Sequence, residues 1–271
     1  MTETPPPLFD QDLLNRRLTR ADENVHKFLG QRLAGEVIER TAPVLRSFAH
    51  TLITGPLAAG ARPALEVAER FGALHVKAGP GDLFNCVISL LELQSADDPV
   101  GVLIQHRRRL KPDGLLIACL FGGASLSELR SAWLAAESEL TGGVTPRVAP
   151  MAALRDAGGL LQRAGFALPV ADQDRTVLRY ADPLALMREV KALGFSNMLH
   201  GRSRRPVTRG LLLRAAAAYQ ATAGDADGRV RATAELIWLT AWAPHESQQQ
   251  PLKPGSAKMR LADALKVPRQ T

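Results

Sequence analysis

Two glycine-containing stretches, each following an apolar run, are where this chain could cradle a ligand. They are Leu52-Ile53-Thr54-Gly55-Pro56-Leu57-Ala58-Ala59-Gly60 and Gly122-Gly123. Glycine lets backbone approach a ligand closely, so Gly55, Gly60 and Gly122 are candidate binding positions. Gln94, at the end of a third apolar run, joins them. Glu128 and Arg130 lie just beyond the second glycine pair. The Glu128 carboxylate suits a guanidinium through a charge-assisted bond, and equally suits a capping box with Ser125. Arg130, one helical step on, is expected to pair with a nearby acid. His245, with Gln248 and Gln249 behind it, either lines the same crevice or belongs to a polar tail. Glu128, Arg130 and His245 are thus the candidate catalytic residues.

Other chemistries lack their residues. His26, His50, His75, His106, His200 and His245 are widely scattered and form no HxD…H set for non-haem iron, so no metal is expected. There is no GxSxG elbow, P-loop or HExxH. The two cysteines, Cys86 and Cys119, each sit in an apolar run without metal-ligand spacing, and read as buried thiols.

The chain has 271 residues, 46% of them apolar and 23% charged, which suits one large α/β domain with a modest addition. Its net charge of +7 would favour an anionic partner. Neither Arg107-Arg108-Arg109 nor Arg202, Arg204 and Arg205 interleaves with aromatics, so protein docking is expected and nucleic-acid binding is not. No apolar stretch is long enough to cross a bilayer. The opening Met1 to Pro7 carries acid early and lacks a basic start and apolar core, which points to a cytoplasmic protein.

The positioning elements follow from periodicity and punctuation. Phe9 to Phe48 reads as helical, with a break at Pro43 before a short final stretch. Thr51 to Thr54 is the first core strand, Ala64 to Phe71 a helix and Ala73 to Lys77 a short strand. Phe84 to Leu91 is a nearly continuous apolar run, which suits a parallel strand covered on both faces. A helix over Val100 to Leu110 and a turn at Lys111-Pro112-Asp113-Gly114 lead to a second buried strand, Leu115 to Phe121. Helices follow over Ser125 to Leu140 and Ala152 to Ala164, the latter closed by Gly165. Phe166 to Val170 and Thr176 to Tyr180 are expected to pair across a polar turn. Pro183 to Leu193 and Gly210 to Thr222 are helical, and Ala232 to Ala243 is the last strand.

Alternating strands and helices imply an α/β fold with a mostly parallel sheet and right-handed crossovers. Residues 1–48 form an N-terminal helical cap, 49–245 the α/β domain with a helical insertion at about 182–230, and 246–271 a polar tail. In such a sheet the ligand lies at the carboxyl ends of the strands, which gathers Gly55, Leu93 to Asp98 and Gly122-Gly123 around one crevice.

The stretch from Asp82 to Gly123 resembles the core of S-adenosylmethionine methyltransferases, most visibly in Leu110-Lys111-Pro112-Asp113-Gly114. Longer segments are similar to the respiratory complex I assembly factor 5 family. They include Phe9-Asp10 with Arg16-Arg17, Leu103-Ile104-Gln105, and Gly122-Gly123 leading to Ser127-Glu128-Leu129-Arg130. Further on come Gly142-Gly143, Leu160 to Phe166, Ala185-Leu186-Met187, Trp242-Ala243-Pro244-His245 with Gln248-Gln249, and Pro251 to Ala257. The resemblance implies a Rossmann-like class I methyltransferase fold with an antiparallel last strand. It also implies a protein substrate or partner in a respiratory complex. Bacterial members are labelled methyltransferases, while the mitochondrial member is associated with hydroxylation of an arginine in a core subunit.

The cofactor loop departs from that family's pattern. A methyltransferase loop reads D-x-G-x-G-x-G after the first strand; here Ile53 replaces the acid, and Leu57 and Ala59 fall where later glycines belong. Pro56 removes a backbone donor. Between Gly60 and Phe84 only two short elements fit, where the usual plan needs four, and Lys77 stands where a ribose-binding acid is expected. Glu66 and Glu69 read as solvated, and Gln94-Ser95 replace the family's His-Trp. The expectation is a degenerate S-adenosylmethionine site on a scaffold or partner subunit. An active methyltransferase or arginine-modifying enzyme acting on a protein side chain is the alternative.

Overall fold

A computed structural model describes residues 6–249. Two helices open the chain, α1 (Gln11–Thr19) and α2 (Glu23–Thr41). Each is started by an aspartate whose carboxylate accepts first-turn N–H bonds: Asp10 from Leu13, and Asp22 from Asn24 and Val25. The chain after Thr41 is turn and coil and then enters β1 (Phe48–Thr54). The short final helical stretch expected after Pro43 is therefore absent; Phe48 is already in the sheet, stacked on Phe71 with ring centroids 5.8 Å apart.

The core follows as α3 (Ala58–Glu66), β2 (Phe71–His75), β3 (Phe84–Leu90), α4 (Pro99–Arg109) and β4 (Leu110–Phe121). Then come α5 (Ser127–Thr141), α6 (Leu154–Arg163), β5 (Ala167–Tyr180), α7 (Pro183–Ala192), α8 (Arg209–Ala223) and β6 (Val230–Trp242). The six strands lie in the order β2-β1-β3-β4-β6-β5. The pairs β1/β2, β1/β3 and β3/β4 are parallel, and β6 runs antiparallel to both β4 and β5. Only β6 is reversed. Strand order switches direction between β1 and β3, which fixes where a crevice opens.

Period-two alternation sends each strand's side chains into two separate cores. Ile53, Ile88 and Trp238 pack under α2 and α3, while Leu52, Val87 and Ile237 pack under α4 and α6. Both cysteines are fully buried, and burial pushes their thiols up in pKa, away from reactive thiolate. A third cluster joins α5, α7 and α8 to the start of β6.

Three expectations need correction. Helix α3 begins at Ala58, six residues before Ala64, so Gly60 is helical. A Cβ there would sit 2.6 Å from the His26 carbonyl oxygen, and one on Gly30 would sit 2.7 Å from the Ala61 nitrogen. The glycines let α2 and α3 cross with backbones touching, and that crossing, not a ligand, accounts for Gly60. The LKPDG stretch is a bulged part of β4, not a turn before it, with Asp113 left-handed at φ +60°. Lastly, Phe166 to Val170 and Thr176 to Tyr180 do not pair with each other: they are ends of one strand, β5, zipped to β6 from Tyr180↔Val230 to Val170↔Thr240. The polar residues between them are strand residues because one edge and much of both faces of β5 meet water. Gly165 is left-handed at φ +76°, and the Gly165 and Phe166 N–H groups donate to Gln162 and Leu161, closing α6 as expected.

Candidate functional site

At the switch point the carboxyl ends of β1 and β3 bring Thr54, Gly55, Ser89 and Glu92 together. The chain leaves β1 through Gly55 at φ +90°, where a Cβ would lie 2.2 Å from the Leu90 carbonyl oxygen; only glycine fits. Leu91, buried and left-handed at φ +57°, turns the chain at the end of β3, held by its N–H bond to the Cys119 carbonyl. That turn presents Glu92. Its Oε2 accepts from Thr54 Oγ1 at 2.7 Å, Ser89 Oγ at 2.8 Å and His106 Nε2 at 3.0 Å. His106 reaches it from α4 and is buried. Partial burial opposes ionisation of Glu92, but His106 and the two hydroxyls outweigh it and hold the carboxyl down to about 2. Its side chain is 32% exposed.

Gln94 sits one turn further on. Its Nε2 donates to the Leu91 carbonyl, while its buried Oε1 has no partner among the described residues. The N-terminal segment closes over this corner: Asp97 accepts the N–H bonds of Leu8 and Phe9, and Gln11 donates to the Ser95 carbonyl. Phe9 is buried with Leu14, Met198 and Leu199, Arg202 pairs with Asp10 at 3.0 Å, and Arg17 Nη1 donates to the carbonyls of Ser196 and Asn197. These contacts tie the opening helices and the insertion into one cover.

At the neighbouring strand end, Gly122 lies so close to β6 that a Cβ there would run into the Glu235 carboxylate. Ser125 does not cap α5. Its hydroxyl exchanges hydrogen bonds with the backbone of Glu235, and the helix begins after Leu126, left-handed at φ +53°. The capping box is therefore not formed, because Ser125 is fastened to β6. Glu128 is bound across to β6 as well, accepting from the Thr233 hydroxyl and from the Thr233 N–H at 3.2 Å. Burial opposes its charge, and the Thr233 contacts with Ser127 prevail, keeping its carboxyl below the ordinary value. Arg130 pairs with no acid among the described residues; it donates to the Ala149 carbonyl at 3.3 Å.

His245 is placed elsewhere. Because β6 is antiparallel, its last residues lie beside the first residues of β4, with Trp242 opposite Leu115. His245, Gln248 and Gln249 therefore stand at the far edge of the sheet from Gly55, Gln94 and Gly122. There Gln248 donates to Asp113 at 2.9 Å, Asp113 pairs with Arg46, and Arg46 lies over the Trp242 ring. The family-like Asp113, Trp242 and Gln248 thus lock the foot of the sheet. The expected segment Pro251 to Ala257 lies outside the described residues.

Glu92, His106, Thr233 and Glu235 were absent from the expected site. Glu92 had a readable signal, a lone acid directly after the apolar run of a parallel strand. His106, counted as scattered, had none, because its partner is fourteen residues away.

A methionine-bearing nucleoside cofactor needs an acid and open glycines after β1 and an acid after the second strand. Ile53 is fully buried in the helix-side core, and so is Leu57, the residue that leads into α3. β2 ends at His75, followed by Lys77, and β3 begins without an intervening strand. The usual anchoring groups do not fit. The described residues contain no group of three or more metal-capable side chains.

A single sheet switched at β1/β3, with one reversed strand between β4 and β5, defines the class I methyltransferase fold, here short of one strand on the β2 side. The chain is 38% identical over 184 residues to a Danio rerio protein named arginine-hydroxylase NDUFAF5, mitochondrial, covering 68% of this chain and 57% of that one. It is 37% identical over 186 residues to the malonyl-[acyl-carrier protein] O-methyltransferase of Halorhodospira halophila, covering 69% and 61%. The Homo sapiens protein named arginine-hydroxylase NDUFAF5, mitochondrial, is 36% identical over 184 residues, covering 68% of this chain and 53% of its own, so the likeness to the complex I assembly factor 5 family runs over two thirds of this chain. The chain spans little more than half the length of these curated relatives. A solved structure, the YcgJ protein of a Bacillus, overlays with a TM-score of 0.46 at 10% identity, covering 78% of this chain and 98% of its own. No protein-family model matches the chain.

Proposed function

We propose that this chain uses the methyltransferase-type fold as a docking scaffold or partner subunit in respiratory complex I assembly, and that its S-adenosylmethionine site is degenerate. The observation that carries this is the first loop. Buried Ile53 and Leu57 occupy the positions of the acid and a loop glycine, and α3 starts at once behind them. The cover built from α1 and the insertion gives such a scaffold a protein-facing surface. The assembly role rests on the resemblance to the complex I assembly factor 5 family; the relatives themselves are named arginine-hydroxylases. No helix among the described residues is long and apolar enough to cross a membrane. The organisation proposed is a cap that ends where β1 begins at Phe48, an α/β domain to residue 245 with a helical insertion at about 182–230, and a polar tail.

A second reading is favoured by Glu92. One carboxylate oxygen is tied by three donors, and the other has no hydrogen-bond partner among the described residues. Such a group at the carboxyl edge suits a guanidinium, the side chain that the alternative reading, an active methyltransferase or arginine-modifying enzyme acting on a protein side chain, would hold there. Affinity purification of the chain from native extract, with mass analysis of the complex I subunits that accompany it, separates the two. The scaffold reading expects specific subunits to accompany it, with masses unchanged when purified chain and S-adenosylmethionine are added. A gain of one methyl group or one oxygen atom on a subunit overturns it.

A further inference from the structure

We propose that the free edge of β5 over residues 171–178 is a strand-addition site for an extended segment of a partner protein, one carrying neighbouring acidic and basic residues between apolar ones. This goes beyond the scaffold reading and stands whether or not the crevice takes a cofactor.

β5 is the terminal strand of the sheet, paired to β6 along one side only. Among the described residues, no further backbone reaches its outer side. A terminal strand offers a row of N–H and C=O groups to any chain that can lie beside it, and proteins usually blunt such edges. The first end of β5 is blunted: Pro169 lacks an N–H, and the register shifts between Ala167 and Val170. The other end is occupied by Arg179, held to Asp225 and Asp227. Between them the edge is regular and open. Val177 is 53% and Leu178 39% exposed, so apolar side chains stand uncovered on both faces.

The charges beside this edge specify the occupant. Alternation sets Ala171 and Arg175 on the face of α6, where Ala171 approaches Gly158. A cleft of about 390 Å³ opens there, floored by Gly158 and Gly159 and flanked by Arg155. Neither Arg155 nor Arg175 has an ion-pair partner among the described residues; Glu235, opposite Arg175 in β6, is buried, with its carboxylate at Gly122 and the Ala124 N–H. Asp174 stands on the opposite face, also unpaired, while Asp172 is held by Arg40. Opposite charges in directly facing strand positions attract and like charges repel. The matching strand therefore places an acid against Arg175 on the cleft side and a base against Asp174 on the other, with apolar residues on either side.

The probe is a synthetic decapeptide of valine and isoleucine with a central Glu-Lys pair, compared with the same peptide carrying Glu-Glu. Binding to the whole chain is followed by fluorescence anisotropy, and its location by backbone hydrogen exchange. The proposal expects slowed exchange within residues 171–178 and about tenfold tighter binding of the Glu-Lys peptide. Asp174→Lys should reverse that preference, whereas Asp156→Lys, an exposed change on α6 away from the edge, should leave it unaltered. Absence of protection in β5, or an unreversed preference in Asp174→Lys, overturns the proposal. Protection of the same amides on concentrating the chain alone, with a dimer by sedimentation, would assign the edge to a second copy and also overturn it.

Discussion

Replacing Glu92 with glutamine removes the charge at the switch point while keeping its shape, and the consequence can be worked from the geometry. The carboxyl titrates at about 2 in the folded chain against 4.5 for an unperturbed glutamate. Each unit of pKa difference is worth about 1.4 kcal/mol of stability, so the full shift corresponds to about 3 kcal/mol. Water reaches a third of the side chain and screens the interaction, which brings the expected loss in Glu92→Gln at pH 7 to roughly 1–3 kcal/mol. The folded value lies below the unfolded one, so the contribution is fully present above about pH 4.5 and fades as pH falls toward 2. Urea unfolding of both proteins at steps from pH 7 to pH 3 should show the gap between them shrinking to less than about half. A gap that stays constant with pH, or no loss at pH 7, would refute the claim that His106, Thr54 and Ser89 hold an ionised Glu92.

Gly55→Ala should cost roughly 2–5 kcal/mol by thermal or urea unfolding, because the left-handed backbone and the contact with the Leu90 carbonyl oxygen must both be relieved. Glu128→Ala and Thr233→Val should each cost about 1–2 kcal/mol, with the double variant losing clearly less than the sum, since both remove one shared set of bonds. His245→Ala should change stability by less than about 0.5 kcal/mol and leave partner recovery intact, because His245 is exposed and, among the described residues, bonds only to its near neighbours.

The core strands could be read from the sequence because their signal is local. The FNCVISL run is apolar but for Asn85 and Ser89, and LLIACLF is apolar throughout, as suits strands covered on both faces, and both lie at the sheet centre. The shortened stretch before Phe84 was legible too, as plain chain length. The start of α3 was not: Gly60 and Pro63 look like loop residues, and only the crossing with α2 makes a helical glycine favourable there. β5 was split in two because Asp172, Gln173, Asp174 and Arg175 are polar, and a terminal strand wet on its outer edge and over much of both faces shows no alternation to read. The misplacement of His245 has a different cause. An antiparallel last strand already implies that residues following it emerge at the foot of the sheet, so the direction of β6 should have excluded His245 from the crevice. Glu128 reads in the sequence as a guanidinium ligand or a cap because its partner, Thr233, is 105 residues away and arrives only with the fold.

Calorimetric titration of S-adenosylmethionine into the purified chain tests the central claim most directly. No saturable heat is expected up to millimolar ligand, because Ile53 and Leu57 stand where the cofactor's acid and glycine contacts belong. Saturable binding at micromolar Kd, a free energy of about −8 kcal/mol, would contradict it and make the carboxyl edge around Gly55 and Glu92 a working cofactor site.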